Sequence, residues 1–370
     1  MKYMGSKKAM LKNGLGEMLL EQSNKSNRVF DPFCGSASVA CFVAENTERQ
    51  VIAGDLQKFS VDLANSILLR NKEVTEHQQK KLQEWNENVQ KIFKKNAVDI
   101  PLKQTKKCVI DNRLRCSSSR RNIVKAYGGH YFSYNQALAF DLLLSHIPQE
   151  EPTKSIAVAA LIEAASQCSA SPGHTAQPFG LTPNGLKAIF EAWSRNPFDY
   201  VSRHIKLLST KHAKTIGHAK VSEANTLLTE LVEGDLVFLD PPYSGVHYSR
   251  FYHVLETISR NTKVDVSGTG RYPAPADRPK SNYSLIGESK KALNGLLLNI
   301  SQKKASAILT FPSYKCSNGL SGDIVKEISR QHFKVKKEII KGAFSTMGGN
   351  NKNRPARQAS SELVLLLEPK

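Results

Sequence analysis

Apolar and polar positions along the chain read as short strands set between helices. Residues 28–33 read as a strand that ends in a turn. Over residues 36–45, Val39, Ala40, Phe42 and Val43 supply a helical face, with Ser36 expected as its N-cap. A second strand, Val51 to Gly54, closes on Asp55, and the helix after it carries Phe59, Val61, Leu63, Ile67 and Leu68. Strand, glycine turn, helix, strand, acid is the opening of a doubly wound α/β domain.

The pattern then changes. Residues 70–125 are polar and basic, and helical periodicity is weak after Ile100. Two helices are expected over 133–147 and 155–168, followed by a Ser-, Pro-, Gly- and His-rich loop over 169–185. The α/β pattern resumes near residue 215. Leu236 to Leu239 is a compact buried strand that runs into Asp240-Pro241-Pro242-Tyr243. A helix over 249–260, a mobile loop over 262–285, a strand from Ala305 to Phe311 and a last strand from Glu362 to Leu367 complete the reading. The expected fold is an α/β, doubly wound Rossmann-like core made of residues 1–70 and 210–370. Residues 71–209 are an inserted, mainly helical region.

Composition narrows the class. With 40% hydrophobic and 23% charged residues, the 370-residue chain has the make-up of a folded soluble protein. No apolar run approaches the ~20 residues that span a bilayer. The first residues form no apolar leader, so a cytoplasmic protein is expected, nucleoid-associated in a prokaryote. The six cysteines form no C-x-x-C pair and sit at no metal-ligand spacing, so no metal is expected. The formal charge of +19 points to a polyanionic partner, nucleic acid before membrane. The excess is uneven: Arg70 to Lys125 holds 15 Lys and Arg against 6 Asp and Glu. That makes the segment a candidate nucleic-acid surface.

Asp240 to Tyr243 carries the chemistry. Ligands of open α/β sheets bind at the carboxyl ends of the strands, where this motif falls. An exocyclic aromatic amine is a poor nucleophile because its lone pair is delocalised into the ring. Acceptors for its hydrogens draw it toward a tetrahedral, nucleophilic geometry. Asp240 offers a carboxylate, Pro241 a carbonyl held by the fixed φ of Pro241 and Pro242, and Tyr243 a ring to stack on the base. The same four residues would also make a plain strand-terminating turn. Asp31-Pro32-Phe33-Cys34-Gly35-Ser36 is a turn that lets the backbone approach a cofactor, and Asp55 stands where a carboxylate takes a ribose hydroxyl pair. The joint order of the three motifs is what makes the reading specific.

With these residues in place, the chain resembles the Dam-like family of DNA adenine methyltransferases, in the class where the cofactor motif precedes the catalytic one. Lys2 to Lys7 is similar to the family's N-terminal motif, Asp31 to Ser36 to its cofactor loop, and Asp240 to Tyr243 to its catalytic motif. The resemblance implies S-adenosyl-L-methionine as cofactor and an adenine flipped out of double-stranded DNA as substrate. It implies that Tyr3, Gly5 and Lys7 flank the methionine part of the cofactor, with Lys7 the partner of its carboxylate. Asp31, Phe33 and Gly35 then lie by the methionine and its amino group, and Asp55 by the ribose. The family loop often has a second glycine where this chain has Ala37. Either Glu223 or Asn225 serves the cofactor adenine, and the sequence leaves that choice open.

The inserted region is the expected target-recognition domain. Arg113, Arg115, Arg120 and Arg121 are candidate DNA contacts there. Tyr248 and Arg250 after the catalytic motif, and Lys352 and Arg354 in the basic stretch 342–358, are others. A cognate restriction endonuclease is a further expected partner, and a monomer or weak dimer the expected state. An N4-cytosine or RNA adenine methyltransferase, or a catalytically silent DNA-binding relative, are the alternative readings.

Overall fold

The computed structural model describes residues 3, 5–100, 102–341 and 361–370. Among these, the strands in chain order are Arg28–Asp31 (β1), Gln50–Asp55 (β2), His218–Val221 (β3), Leu236–Leu239 (β4), Val266–Ser267 (β5), Tyr272–Pro273 (β6), Ser306–Pro312 (β7), Phe333–Lys341 (β8) and Glu362–Pro369 (β9). Seven form one sheet in the order β3-β2-β1-β4-β7-β9-β8. β1 runs parallel to β2 and β4, β2 to β3, and β4 to β7. Only β9 opposes its neighbours, β7 and β8. The protein is therefore mixed α/β with a mostly parallel sheet.

Apolar runs explain why this sheet is buried. All four residues of β4 are buried, as a central parallel strand requires. Phe30, Val237, Leu239, Leu309, Phe311 and Leu365 form one apolar layer with Leu293, Leu296, Leu297 and Ile300 of the helix Ser289–Gln302. From β1 the chain moves to β2 and β3 on one side, and later to β4 and β7 on the other. The reversal between β1 and β4 is the switch point at which α/β sheets open a ligand crevice.

Among the described residues the chain forms two compact units. One comprises Tyr3, residues 73–211 and 249–278; the other comprises 5–72, 212–248 and 279–370 and contains the seven-stranded sheet. The first unit is helical around Thr153–Cys168, of whose sixteen residues twelve are buried. Glu76–Asn96 starts with a capping box, Thr75 with Gln78, and Tyr134–Ser145 with another, Ser133 with Gln136. β5 and β6 form a short hairpin in this unit.

Some elements differ from the sequence reading. The helix expected over 36–45 begins at Ser38. Ser36 is not its N-cap: the preceding Ala37 is left-handed at φ 57°, and the Ser36 hydroxyl lies 2.8 Å from that of Ser38. The helix expected over 249–260 is broken at Tyr252, whose φ is −128° and whose ring stacks on Tyr3 at 4.6 Å. Helices occupy Lys106–Ser117, Pro183–Trp193 and Pro197–Ser209, which the periodicity did not announce. The last two each start with proline at the first turn and a capping Thr182 or Asn196, a signal legible in the sequence.

Candidate active site

β4 delivers Asp240 directly from the buried sheet. Its Oδ1 accepts the Thr310 hydroxyl of β7 at 3.0 Å and lies 2.9 Å from the Lys7 ammonium. Lys7 is 4% exposed and also bonds the Glu362 carboxylate at the start of β9. The Asp240 and Glu362 charges overcome the burial of Lys7 and hold it protonated well above the ordinary lysine range. Asn318 donates from Nδ2 to the Pro242 carbonyl at 2.9 Å and to the Tyr283 carbonyl at 3.0 Å, which fixes the turn. The Tyr243 ring meets Tyr248 and Phe311 edge-on, at 6.3 and 6.5 Å. Burial pushes its phenol up to about 12.

The carboxyl ends of β1 and β2 supply the second half. Asp31 ends β1, is 2% exposed, and has no hydrogen-bond partner at Oδ1 among the described residues. Burial, reinforced by the Asp240 and Asp55 carboxylates, pushes its carboxyl up to about 8. Asp55 accepts the Gly35 N–H at 2.9 Å and the Gln57 N–H at 3.0 Å, so it ties the turn after β1 to the end of β2. Gly35 takes φ +49° there, a conformation open to glycine without strain. Phe33 meets Tyr283 edge-on at 5.0 Å. The Tyr283 hydroxyl is buried; burial and the nearby Glu223 carboxylate raise it, while the Asn225 side chain within reach of it works the other way. Glu223 and Asn225 follow β3 and are exposed; both lie beside Tyr283.

The structure thus gathers Lys7, Asp31, Asp55 and the Asp240–Tyr243 motif in the sheet unit. It adds Glu362, Thr310, Tyr283 and Asn318, which the sequence reading missed. Gly5 abuts the Tyr243 hydroxyl. Tyr3 belongs to the helical unit.

The candidate DNA contacts fall in different settings. Arg113 is half-buried and donates from Nε to the Gly129 carbonyl at 3.0 Å. Arg115, Arg120 and Arg121 are exposed; the Arg115 guanidinium lies 5.8 Å from the centre of the Tyr134 ring. Arg250 is exposed and lies over Tyr272 at 4.6 Å, with the half-buried Arg278 also near that ring at 5.6 Å. Lys352 and Arg354 lie outside the described residues. No helix among the described residues is long and apolar enough to cross a membrane.

A mostly parallel sheet whose strand order reverses between β1 and β4, with carboxylates at the ends of both strands, defines an α/β protein of the doubly wound type. Residues 3–270 match the model of the D12 class N6 adenine-specific DNA methyltransferases, and the chain belongs to that family. It is similar to the Type II methyltransferase M.FokI of Planomicrobium okeanokoites, 33% identical over 111 residues, 30% of this chain and 16% of that protein. It is also similar to the modification methylase LlaI of Lactococcus lactis subsp. lactis, 29% identical over 113 residues, 30% of this chain and 17% of that protein. The modification methylase StsI of Streptococcus sanguinis is 31% identical over 78 residues, 21% of this chain and 12% of that protein. The matched stretches span about a sixth or less of these relatives' lengths.

Proposed function

We propose that this protein transfers a methyl group from S-adenosyl-L-methionine to N6 of an adenine flipped out of double-stranded DNA. The observation that carries the reading is Asp240 at the end of β4, with Lys7 and Thr310 both engaged at its Oδ1. One carboxylate oxygen is thereby fixed, and Oδ2 is the oxygen for an N6 hydrogen. Asn318 engages the Pro242 carbonyl, so the Pro241 carbonyl takes the second hydrogen. With both hydrogens drawn off axis, the N6 lone pair turns away from the ring. Tyr243 stacks on the extracted base. Adenine N6 is buried in a duplex, so the base must leave the stack first.

The residues present fit the cofactor. The buried Oδ1 of Asp31, without a partner among the described residues, suits an ammonium group, and the Tyr283 hydroxyl with the Asn225 side chain suits a polar heterocycle edge beside Phe33. Among the described residues, Asp31, Asp55, Asp240 and Glu362 outnumber Lys7, which favours a cation. The cofactor's sulfonium supplies an electrophilic methyl group. Asp55 takes the ribose while its remaining lone pairs hold Gly35. Lys7, with two of its three N–H donors engaged, offers the third to the cofactor carboxylate.

We place target recognition in the helical unit, within the 71–209 region the sequence marks. The names of the relatives support a modification role beside a cognate restriction endonuclease. The family favours adenine over the cytosine and RNA alternatives.

Replacing Asp240 with Ala tests the mechanism. Methylation should fall below detection while calorimetric cofactor binding persists. Mass spectrometry of nucleosides from DNA treated with wild-type protein should show N6-methyladenine. N4-methylcytosine in its place, or an active Asp240→Ala protein, overturns the proposal.

A further inference from the structure

We propose that Glu362 is a positioning residue for methyl transfer: by sharing the Lys7 ammonium, it keeps Asp240 a strong acceptor for the target amine. The inference rests on the reading of Asp240 given above.

The geometry is a buried chain of three charges. Lys7 bridges Asp240 and Glu362, and the three side chains are 5%, 18% and 13% exposed. Sheet register sets the bridge. Glu362 opens β9 opposite Pro312, the last residue of β7, while Thr310 lies two residues earlier on β7. Residues two apart on a strand share a face, so one sheet edge brings the Thr310 donor and the Glu362 carboxylate to the same site.

A lysine pointed at Asp240 alone would be costly for the chemistry. A full positive charge 2.9 Å from the carboxylate, away from bulk water, draws off the electron density that must accept an N6 hydrogen. A second carboxylate on the same ammonium divides that pull. Lys7 then orients Asp240 Oδ1 without neutralising the group. Among the described residues, the other titratable groups facing the three are Asp31 at the end of β1, Tyr243 after β4 and Tyr314 after β7. None of these is a cation, so Glu362 and Asp240 share one positive charge.

The test compares wild-type protein with Glu362→Gln, Glu362→Asp, Lys7→Met and the Lys7→Met/Glu362→Gln double variant, all full-length. Single-turnover methyl transfer is measured against pH, with thermal melts and with S-adenosyl-L-methionine and DNA dissociation constants. Glu362→Gln should slow transfer roughly tenfold or more, the scale for weakening one transition-state hydrogen bond. The DNA dissociation constant should stay unchanged, and the rate is read at saturating cofactor so that any change in cofactor affinity is separated from the transfer step. Burial holds the Glu362 carboxyl above the ordinary carboxylate range, so wild-type transfer should carry an acid limb from Glu362 that the Gln variant lacks. Glu362→Asp keeps the charge and should restore the wild-type acid limb. In the Lys7→Met background the Gln substitution should have no further effect, because Glu362 acts through Lys7.

A Glu362→Gln protein with the wild-type rate and profile overturns the proposal. So does an Asp variant that behaves like Gln, or a Gln effect undiminished without Lys7. Absence of adenine methylation by wild-type protein would overturn the underlying reading together with this one. Methylation by wild type with an indifferent Glu362 overturns this one alone.

Discussion

Asp31 gives the site its clearest pH consequence. Its carboxyl is pushed up to about 8 by burial and by Asp240 and Asp55, against roughly 4 in an unfolded chain. Between those values the folded protein holds a proton that the unfolded chain has released. This group therefore stabilises the fold fully at low pH, and the contribution is lost as pH rises toward 8. An ammonium placed at the unpartnered Oδ1 favours the carboxylate instead. Affinity for S-adenosyl-L-methionine should then rise as pH rises to about 8, and binding near neutrality should release a proton. Calorimetry in two buffers of different ionisation enthalpy reads that proton directly. Equal heats in both would show that Asp31 does not meet the ammonium, and Asp31→Asn should abolish the difference. Asp31, Asp55 and Asp240 were legible in the sequence because each ends an apolar strand, where ligands of parallel sheets bind. Glu362 was not, because it lies 355 residues from Lys7 and only the register of β9 on β7 joins them. Thr310 and Tyr283 carry no local signal either, being residues in a strand and a single helical turn whose meaning comes from the fold.

Elements were legible where one physical signal dominated. β4 stands out because four consecutive apolar residues end in Asp-Pro-Pro. β8 did not, because its Lys-rich sequence resembles a solvated face; it is the margin of the sheet, where charge is tolerated and discourages edge pairing. The segment before the first helix joins sequence to site most tightly. Gly5 has φ +80°, and a Cβ added there would fall 2.5 Å from the Tyr243 hydroxyl. Gly5→Ala should therefore cost on the order of 1–2 kcal/mol in backbone strain and push the Tyr243 ring from its pose. The expected outcome is a lower melting temperature and slower methyl transfer measured at saturating cofactor. A rapid-quench rate equal to wild type would mean that the placement of Tyr243 does not limit the reaction.

At the scale of the whole molecule the governing quantity is charge. The excess of +19 is spread along the chain, and the 15 Lys and Arg between Arg70 and Lys125 make that stretch a long basic run. Sequence alone could not separate arginines that build the fold from those that face solvent. The structure separates them: Arg113 holds the Gly129 carbonyl, whereas Arg115, Arg120 and Arg121 are exposed. Replacing Arg113 would disturb the helical unit, so the informative variant changes Arg115, Arg120 and Arg121 to Gln together. Removing one arginine–phosphate interaction should make the slope of log affinity against log salt shallower by about 0.9, because fewer counterions are released on binding. If all three arginines meet phosphates, the slope should change by nearly three times that amount. Fluorescence anisotropy across a salt series, on several duplexes, gives both slope and preference. Uniform weakening on all duplexes assigns the arginines to phosphates. A changed preference among duplexes assigns at least one to a base edge, with guanine the expected partner of a bidentate arginine. A folded triple variant with the wild-type slope and affinity would remove this surface from the interface. The test would then pass to Arg250 and Arg278 around Tyr272, a cation pair of the same helical unit.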